Sequence, residues 1–370
     1  MNANVIKAGI NLLRKNSTKA DFVGGIVATG GVAYTWEYLA PAVWVFNKCG
    51  TGEGNFEFSV RQEDFSSICK GNSKSIEFKN SPENGGYYAD GYHYIYGDGD
   101  SDTAISVMIQ EGESVFKGRL NLPARDEIIG LTDPKNPKRS LNFLCWDLKT
   151  GNYYASDTHI MGRGKAAALS VGVGVEHFLL PPKVLNYFTD DECEIFTNGK
   201  FVIIKQGGVR VFINAVANAS LDEPPLFEAV IPEKKMRGQI AMGTEYLAKL
   251  LKDFRNEFAM VKLCEGGAVR IVDYDKCTKT GKEIVTDGEQ ILHNASLDEA
   301  GDNESLWRVK SLQSICKFAT DDFILVDVFE GEVIPATEDK EEYKTCPFAN
   351  HALKIKAGAD RLVVMMPFVQ

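Results

Sequence analysis

The 370-residue chain contains no run of eighteen apolar residues, so no segment is expected to cross a membrane as a helix. It has no basic start followed by an apolar stretch and a small-residue cleavage site, so no secretory leader is expected. None of its eight cysteines forms a CxxC pair, and they do not cluster. That spacing points to free thiols in a reducing cytoplasm rather than a disulfide frame or a zinc site. GxSxG and HExxH are missing, which removes the commonest signatures of serine hydrolases and zinc proteases. Gly162-Arg163-Gly164-Lys165 lacks the spacing of a phosphate-binding loop and reads as a turn. Positive charge is also short. The formal net charge of −10 argues against indiscriminate nucleic-acid binding.

What is present is a repeat. Gly30-Gly31, Thr150-Gly151 and Gly266-Gly267 each precede an alternating run, the pattern of a hairpin turn and its outgoing strand. The turns recur at intervals of about 120 residues, the size of a whole small domain. A second element keeps the same register. Val60–Lys70 matches Trp307–Lys317, with Leu180–Phe188 between them, and Phe65, Leu185 and Leu312 correspond, as do Ile68, Phe188 and Ile315. Apolar residues at i and i+3 among polar neighbours predict a short one-sided helix.

Two strand-like runs follow each of these helices. They are Ser75–Phe78 and Tyr87–Tyr96, then Cys193–Thr197 and Phe201–Asn214, then Phe323–Phe329 and Leu362–Met366. Each repeat also opens on a helix, over Val5–Lys15, Arg125–Leu131 and Thr244–Arg255, the middle one cut short by Pro134 and Pro137. The unit is helix, strand pair, helix, strand pair. Three of them make an α+β chain with domains over 1–117, 118–234 and 235–370. A composition of 44% hydrophobic and 25% charged residues fits a globular protein of several domains.

Charge is unevenly spread. The predicted helices and their flanks carry Lys7, Arg14, Lys15, Lys19, Arg61, Lys70 and Lys74 in the first repeat. The second carries Arg125, Lys138, Arg139 and Lys183, and the third carries Lys249, Lys252, Arg255, Arg308, Lys310 and Lys317. Acidic residues gather in loops such as Asp98–Asp102 and Glu338–Glu342. Two explanations stand. Helices tolerate Lys and Arg on solvent faces, or all the helices face one polyanion while an acidic exterior repels it elsewhere.

Several motifs then resemble those of the bacterial DNA polymerase III beta subunit, the replicative sliding clamp. They are Pro225-Leu226-Phe227-Glu228-Ala229-Val230-Ile231-Pro232, Ser156-Asp157-Thr158-His159-Ile160-Met161, and the terminal Val364-Met365-Met366-Pro367-Phe368-Val369-Gln370. The resemblance implies a DNA clamp fold of three clamp-like domains forming an arc. It further implies a head-to-tail homodimer that encircles double-stranded DNA without sequence preference. DNA polymerase and clamp loader would bind such a ring through short peptide motifs. It implies a non-catalytic, cytoplasmic processivity factor with no cofactor, metal or membrane partner.

By motif match, the partner-peptide pocket would use Leu141, Ser156, Thr158, His159, Ile160 and Met161, with Pro225, Val230, Val364, Met366, Pro367 and Phe368. The basic helix residues named above would face the DNA. A methionine-rich lip suits varied peptide anchors, because methionine repacks easily. The same terminal residues would equally serve as an ordinary last core strand.

This chain departs from the family at particular positions. Thr158 stands where the family prefers glycine, and Ile160 where it prefers arginine. Val369-Gln370 replaces arginine-leucine at the end, and Val333–Lys356 reads as an insertion between the last two strands. Two other functions compete with the clamp. One is a tandem-domain structural or phage-type assembly protein with no DNA role. The other is an enzyme built on Asp157 and His159, since a carboxylate can orient a histidine as a general base. No nucleophile motif accompanies that pair, and a pocket-wall or turn histidine is the simpler reading.

Overall fold

The computed structural model describes residues 23–39, 42–51, 56–59, 78–81, 86–89, 92–95, 104–169, 175–219, 227–233, 236–263, 269–283, 304–329, 333–334, 343–344 and 352–367. The chain forms two compact units. The first comprises Met1–Pro123, Trp146–Gly151 and Ala166–Glu223, and the second Ala124–Cys145, Asn152–Lys165 and Pro224–Gln370.

The first unit is built on a nine-stranded antiparallel sheet. Its order is Ala167–Leu169, Val115–Asn121, Glu192–Thr197, Phe201–Gln206, Val209–Asn214, Val43–Thr51, Val32–Leu39, Val23–Thr29, Phe56–Ser59. The predicted Gly30-Gly31 hairpin is there. Both glycines hold positive φ, +58° and +80°, as a tight turn that follows the strand twist requires, and it brings Thr29 opposite Val32. Strand alternation then sorts the residues of Val32–Leu39. Tyr34 and Trp36 join Trp44, Phe46, Phe201 and Phe212 in an aromatic core capped by Ala104, Val107 and Met108. Thr35 and Glu37 are buried as well, but are polar. Glu37 is satisfied by the Tyr187 hydroxyl, which donates to its carboxylate, and Lys183 Nζ approaches to 3.9 Å. Both partners come from the 3-10 turn Pro182–Tyr187, which occupies the place of the predicted middle helix. Two prolines at its start favour this tight, short form.

In the second unit, six strands pair antiparallel in the order Asn152–Ser156, Ile160–Lys165, Arg361–Met365, Leu353–Gly358, Phe323–Phe329, Met236–Gly243. A separate sheet orders Thr280–Glu283, Val269–Asp275, Phe258–Leu263 and Glu304–Arg308. Helix Val309–Phe318 buries Val309, Leu312, Ile315 and Phe318 and leaves Lys310 and Lys317 exposed, which is the one-sided pattern its sequence predicts. It packs against helices Arg125–Ile128 and Thr244–Leu250 and against the strands Leu353–Gly358 and Arg361–Met365. Among the described residues no helix is long and apolar enough to cross a membrane.

Three expectations need correction. Helix Thr244–Arg255 ends at Leu250, because Asp273 accepts the backbone N–H of Arg255 and of Asn256 at 3.0 and 3.1 Å and draws the chain out toward the next strand. Gly162-Arg163-Gly164-Lys165 is not a turn but most of the strand Ile160–Lys165. A Cβ at Gly162 would sit 2.6 Å from Leu131 Cδ1, and one at Gly164 would sit 2.3 Å from the Tyr153 ring. The glycines answer close packing rather than a bend. Finally, the segment read as an insertion holds part of a sheet strand. Leu353–Gly358 pairs with both Phe323–Phe329 and Arg361–Met365, with Leu353, Ile355 and Ala357 buried in strict alternation. The predicted helices over 5–15 and 60–70 and the Gly266-Gly267 turn lie outside the described residues.

Candidate functional site

The strands Asn152–Ser156 and Ile160–Lys165 are joined by Asp157, Thr158 and His159. The turn is built by side chains hydrogen-bonding backbone. Asp157 Oδ1 accepts the N–H groups of His159 and Ile160, each at 2.9 Å. Ser156 Oγ donates to the Ile160 carbonyl at 3.1 Å and accepts from the Thr158 N–H at 3.3 Å. Such local bonds are what Asp and Ser offer a turn. They hold Thr158 at φ +82°, a left-handed conformation that glycine adopts freely and a β-branched residue does not. Glycine would adopt this backbone freely, and this chain adopts it with a strained threonine.

Strand Arg361–Met365 lies alongside, with Ile160 opposite Met365 and Met161 opposite Val364. The Met366 N–H continues the pairing by donating to the His159 carbonyl at 2.9 Å. Two motifs two hundred residues apart in the sequence are therefore neighbours. Leu141 belongs to the short helix Arg139–Asn142, which packs on the strand Asn152–Ser156. Val230 ends the helix Phe227–Val230 and is 44% exposed, and Met366 is 46% exposed. Ser156, Val364 and Pro367 are buried. Pro225 and Phe368 lie outside the described residues.

The strand's alternation divides the predicted pocket residues. Gly162 and Gly164 face Leu131, Phe318 and Tyr153. Ile160, two residues before Gly162, shares that side and is only 1% exposed. Met161 and Arg163 point to the opposite face, together with their register partners Val364 and Tyr154. Met161, Met366 and Val230 are the predicted residues open enough to line an apolar groove; Val364 shares the Met161 face but is buried and would form its floor, and Ile160 is buried on the opposite face.

One oxygen of the Asp157 carboxylate accepts two backbone N–H groups, and the Asp157–His159 pair sits in a turn rather than along a strand. The geometry that would let two strand residues share a face is therefore not present.

The basic residues divide too. Lys310 and Lys317 stand one heptad apart on the exposed stripe of their helix, and Lys252 and Arg255 are exposed beyond the neighbouring helix. Lys249 is exposed and pairs with Glu245 at 2.8 Å, holding that carboxyl below its ordinary range. Arg308 pairs with Glu257 at 3.2 Å, and Lys183 leans toward buried Glu37. Arg125 is half-buried and Lys138 exposed. The side chain of Arg139 and the residues Lys7, Arg14, Lys15, Lys19, Arg61, Lys70 and Lys74 lie outside the described residues.

Two arginines with evident structural roles had no signal in the sequence. Arg361 donates to the Phe318 carbonyl, lies 5.0 Å over the Phe318 ring and pairs with Glu127 at 2.9 Å. It thereby ties two helices to the strand that begins at its own position. Arg163 reaches Glu228 and Phe227. Both depend on partners far along the chain, which no local pattern announces.

No family model and no curated protein matches the chain. Among solved structures it is similar to the DNA polymerase III beta subunit of Thermotoga maritima, at 14% identity and a TM-score of 0.67, covering 100% of this chain and 98% of that one. A DNA polymerase sliding clamp from Pseudomonas aeruginosa is similar at 12% identity and a TM-score of 0.68, covering 100% and 99%. A Helicobacter pylori beta clamp bound to a DNA ligase peptide gives 12% and 0.69 with the same coverage. The resemblance read in three short motifs thus extends to the architecture: this chain has the fold of the DNA polymerase III beta subunit, the sliding clamp.

Proposed function

We propose that the chain is a DNA polymerase processivity factor, a non-catalytic clamp in the cytoplasm that encircles duplex DNA. The observation that carries this reading is the fold likeness, which spans 100% of this chain and nearly all of each clamp it resembles. Three domains over 1–117, 118–234 and 235–370 would form an arc. Two arcs would close head to tail, because a single arc leaves sheet edges unpaired.

The exposed lysines on and just beyond the helices in the second unit support a DNA-facing surface. Lys252, Lys310 and Lys317 are long, solvated cations suited to transient phosphate contacts. A net charge of −10 would keep the remainder of the protein from adhering to the same polyanion. Contacts of this kind are weak, so topology rather than affinity would hold the ring in place.

Polymerase and clamp loader would dock through short peptides in the groove of Met161, Val230, Val364 and Met366. The Helicobacter pylori clamp, bound to a DNA ligase peptide, supports this mode of partnership. Each buried peptide anchor would contribute about 1.5–3 kcal/mol before ordering costs, giving the exchangeable binding that several partners sharing one clamp require.

Topology supplies the test. On nicked circular DNA the loaded protein should remain bound through a salt wash, and cutting the circle once should release it. Equal retention on circular and linear DNA would contradict encirclement.

A further inference from the structure

The strand Ile160–Lys165 stands between two environments. On one side its glycines admit Leu131, Phe318 and Tyr153. On the other, Arg163 extends toward the helix Phe227–Val230. Its guanidinium lies 5.4 Å over the Phe227 ring, and its Nη1 is 2.5 Å from Glu228 Oε1. Tyr154, opposite Arg163 in the register, packs on the same Phe227 ring at 5.6 Å.

A four-residue helix has no stability of its own, because nucleation costs more than one turn of hydrogen bonds returns. Its position is decided by what its side chains grip. Phe227 is 2% exposed, while Val230, at the other end of the same turn, is 44% exposed. Met161 lies two residues from Arg163 on the same strand face. The residue that grips the turn therefore shares a rigid strand with one lip of the groove, and the turn it grips carries the other.

We propose that Arg163 is a positioning residue for the peptide groove, anchoring the Phe227–Val230 turn through Phe227 and Glu228 so that Val230 stands as a fixed wall. The inference rests on the groove reading given above. Arginine suits the task because one planar group both stacks on the ring and forks toward the carboxylate, which lysine cannot do. Glu228 is well exposed, so the ion pair contributes little to global stability. Its effect is local, on the placement of one wall.

The test uses the full-length protein and a fluorescein-labelled pentapeptide carrying one leucine and one phenylalanine. Fluorescence anisotropy gives its affinity, and hydrogen exchange follows the amides of residues 228–231. Arg163→Ala should weaken the peptide about fivefold, the equivalent of roughly 1 kcal/mol, and speed exchange in the turn with little change in melting temperature. Arg163→Lys should fall between parent and alanine variant. Arg163→Glu and Glu228→Arg should each weaken binding, and together they should recover most of it. A truncation lacking Met366–Gln370 should not bind, which places the probe in the groove.

Parent-like affinity in all the Arg163 and Glu228 variants would overturn the inference while leaving the groove intact. So would faster exchange in the turn with unchanged affinity, which makes the anchor purely structural. If the parent binds no peptide, or the truncation binds normally, the groove reading falls and this inference falls with it.

Discussion

The two faces of the sheet that carries Met161 and Arg163 are built by different rules. One face meets helix Val309–Phe318, and there the fit is close enough that Gly162 and Gly164 have no room for a methyl group. Phe318 fills that side, touched by the Tyr153 ring at 6.4 Å and by Arg361 at 5.0 Å. The other face is held by an exposed ion pair and the buried rings of Tyr154 and Phe227, and at its edge it leaves Met366 and Val230 nearly half in solvent. The contrast teaches where such a fold can change. A packed face transmits any alteration in volume. A face edged by half-exposed side chains can exchange those residues and alter what it binds while the fold persists.

The sharpest way to break this contrast is Phe318→Ala. Emptying a fully buried ring site should cost about 3–5 kcal/mol in urea unfolding, whereas Met366→Ala should stay within about 0.5 kcal/mol. Equal losses at the two positions would mean that the faces do not differ. Next in size is the turn between them. Asp157→Ala removes the acceptor of two backbone N–H groups and should cost about 1–3 kcal/mol. Asp157→Asn, which keeps an amide oxygen at that place, should retain most of the stability. A smaller effect, of opposite sign, is expected beside it. Thr158→Gly relieves a left-handed β-branched residue and should stabilise the protein by roughly 1 kcal/mol, visible as a raised melting temperature.

The smallest stability change is expected on the helix exteriors. Lys252, Lys310 and Lys317 changed together to glutamate should leave unfolding nearly unaltered, because all three are exposed. The same variant should load less efficiently onto circular DNA, and its difference from the parent should shrink as salt is raised, because the lost phosphate contacts are the salt-dependent ones. Unchanged loading at low salt would detach these lysines from the DNA-facing role.

Much of this contrast could be read from the sequence, but not evenly. Helix Val309–Phe318 was legible because burying Leu312, Ile315 and Phe318 while exposing Lys310 and Lys317 follows from the helical period alone. The terminal strands and the Gly30-Gly31 hairpin were legible for a similar reason, since alternation and turn chemistry are local. Gly162-Arg163-Gly164-Lys165 misled because glycine density is the same whether it serves a bend or a close approach. Only Leu131, Phe318 and Tyr153, brought in from elsewhere, distinguish the two. Leu353–Gly358 was missed because its first residues fall within Val333–Lys356, which reads as an insertion between the last two strands. Of the groove, the motifs were visible and their meeting was not. The sequence could nominate Ile160 and Met161 together, and the register then places them on opposite faces.

Ring closure is what the proposed clamp most depends on, and the mass of the native protein in solution tests it directly. Size-exclusion chromatography with light scattering at micromolar concentration should give twice the 40.8 kDa of one chain. A species of 40.8 kDa alone at that concentration would contradict the closed dimeric clamp.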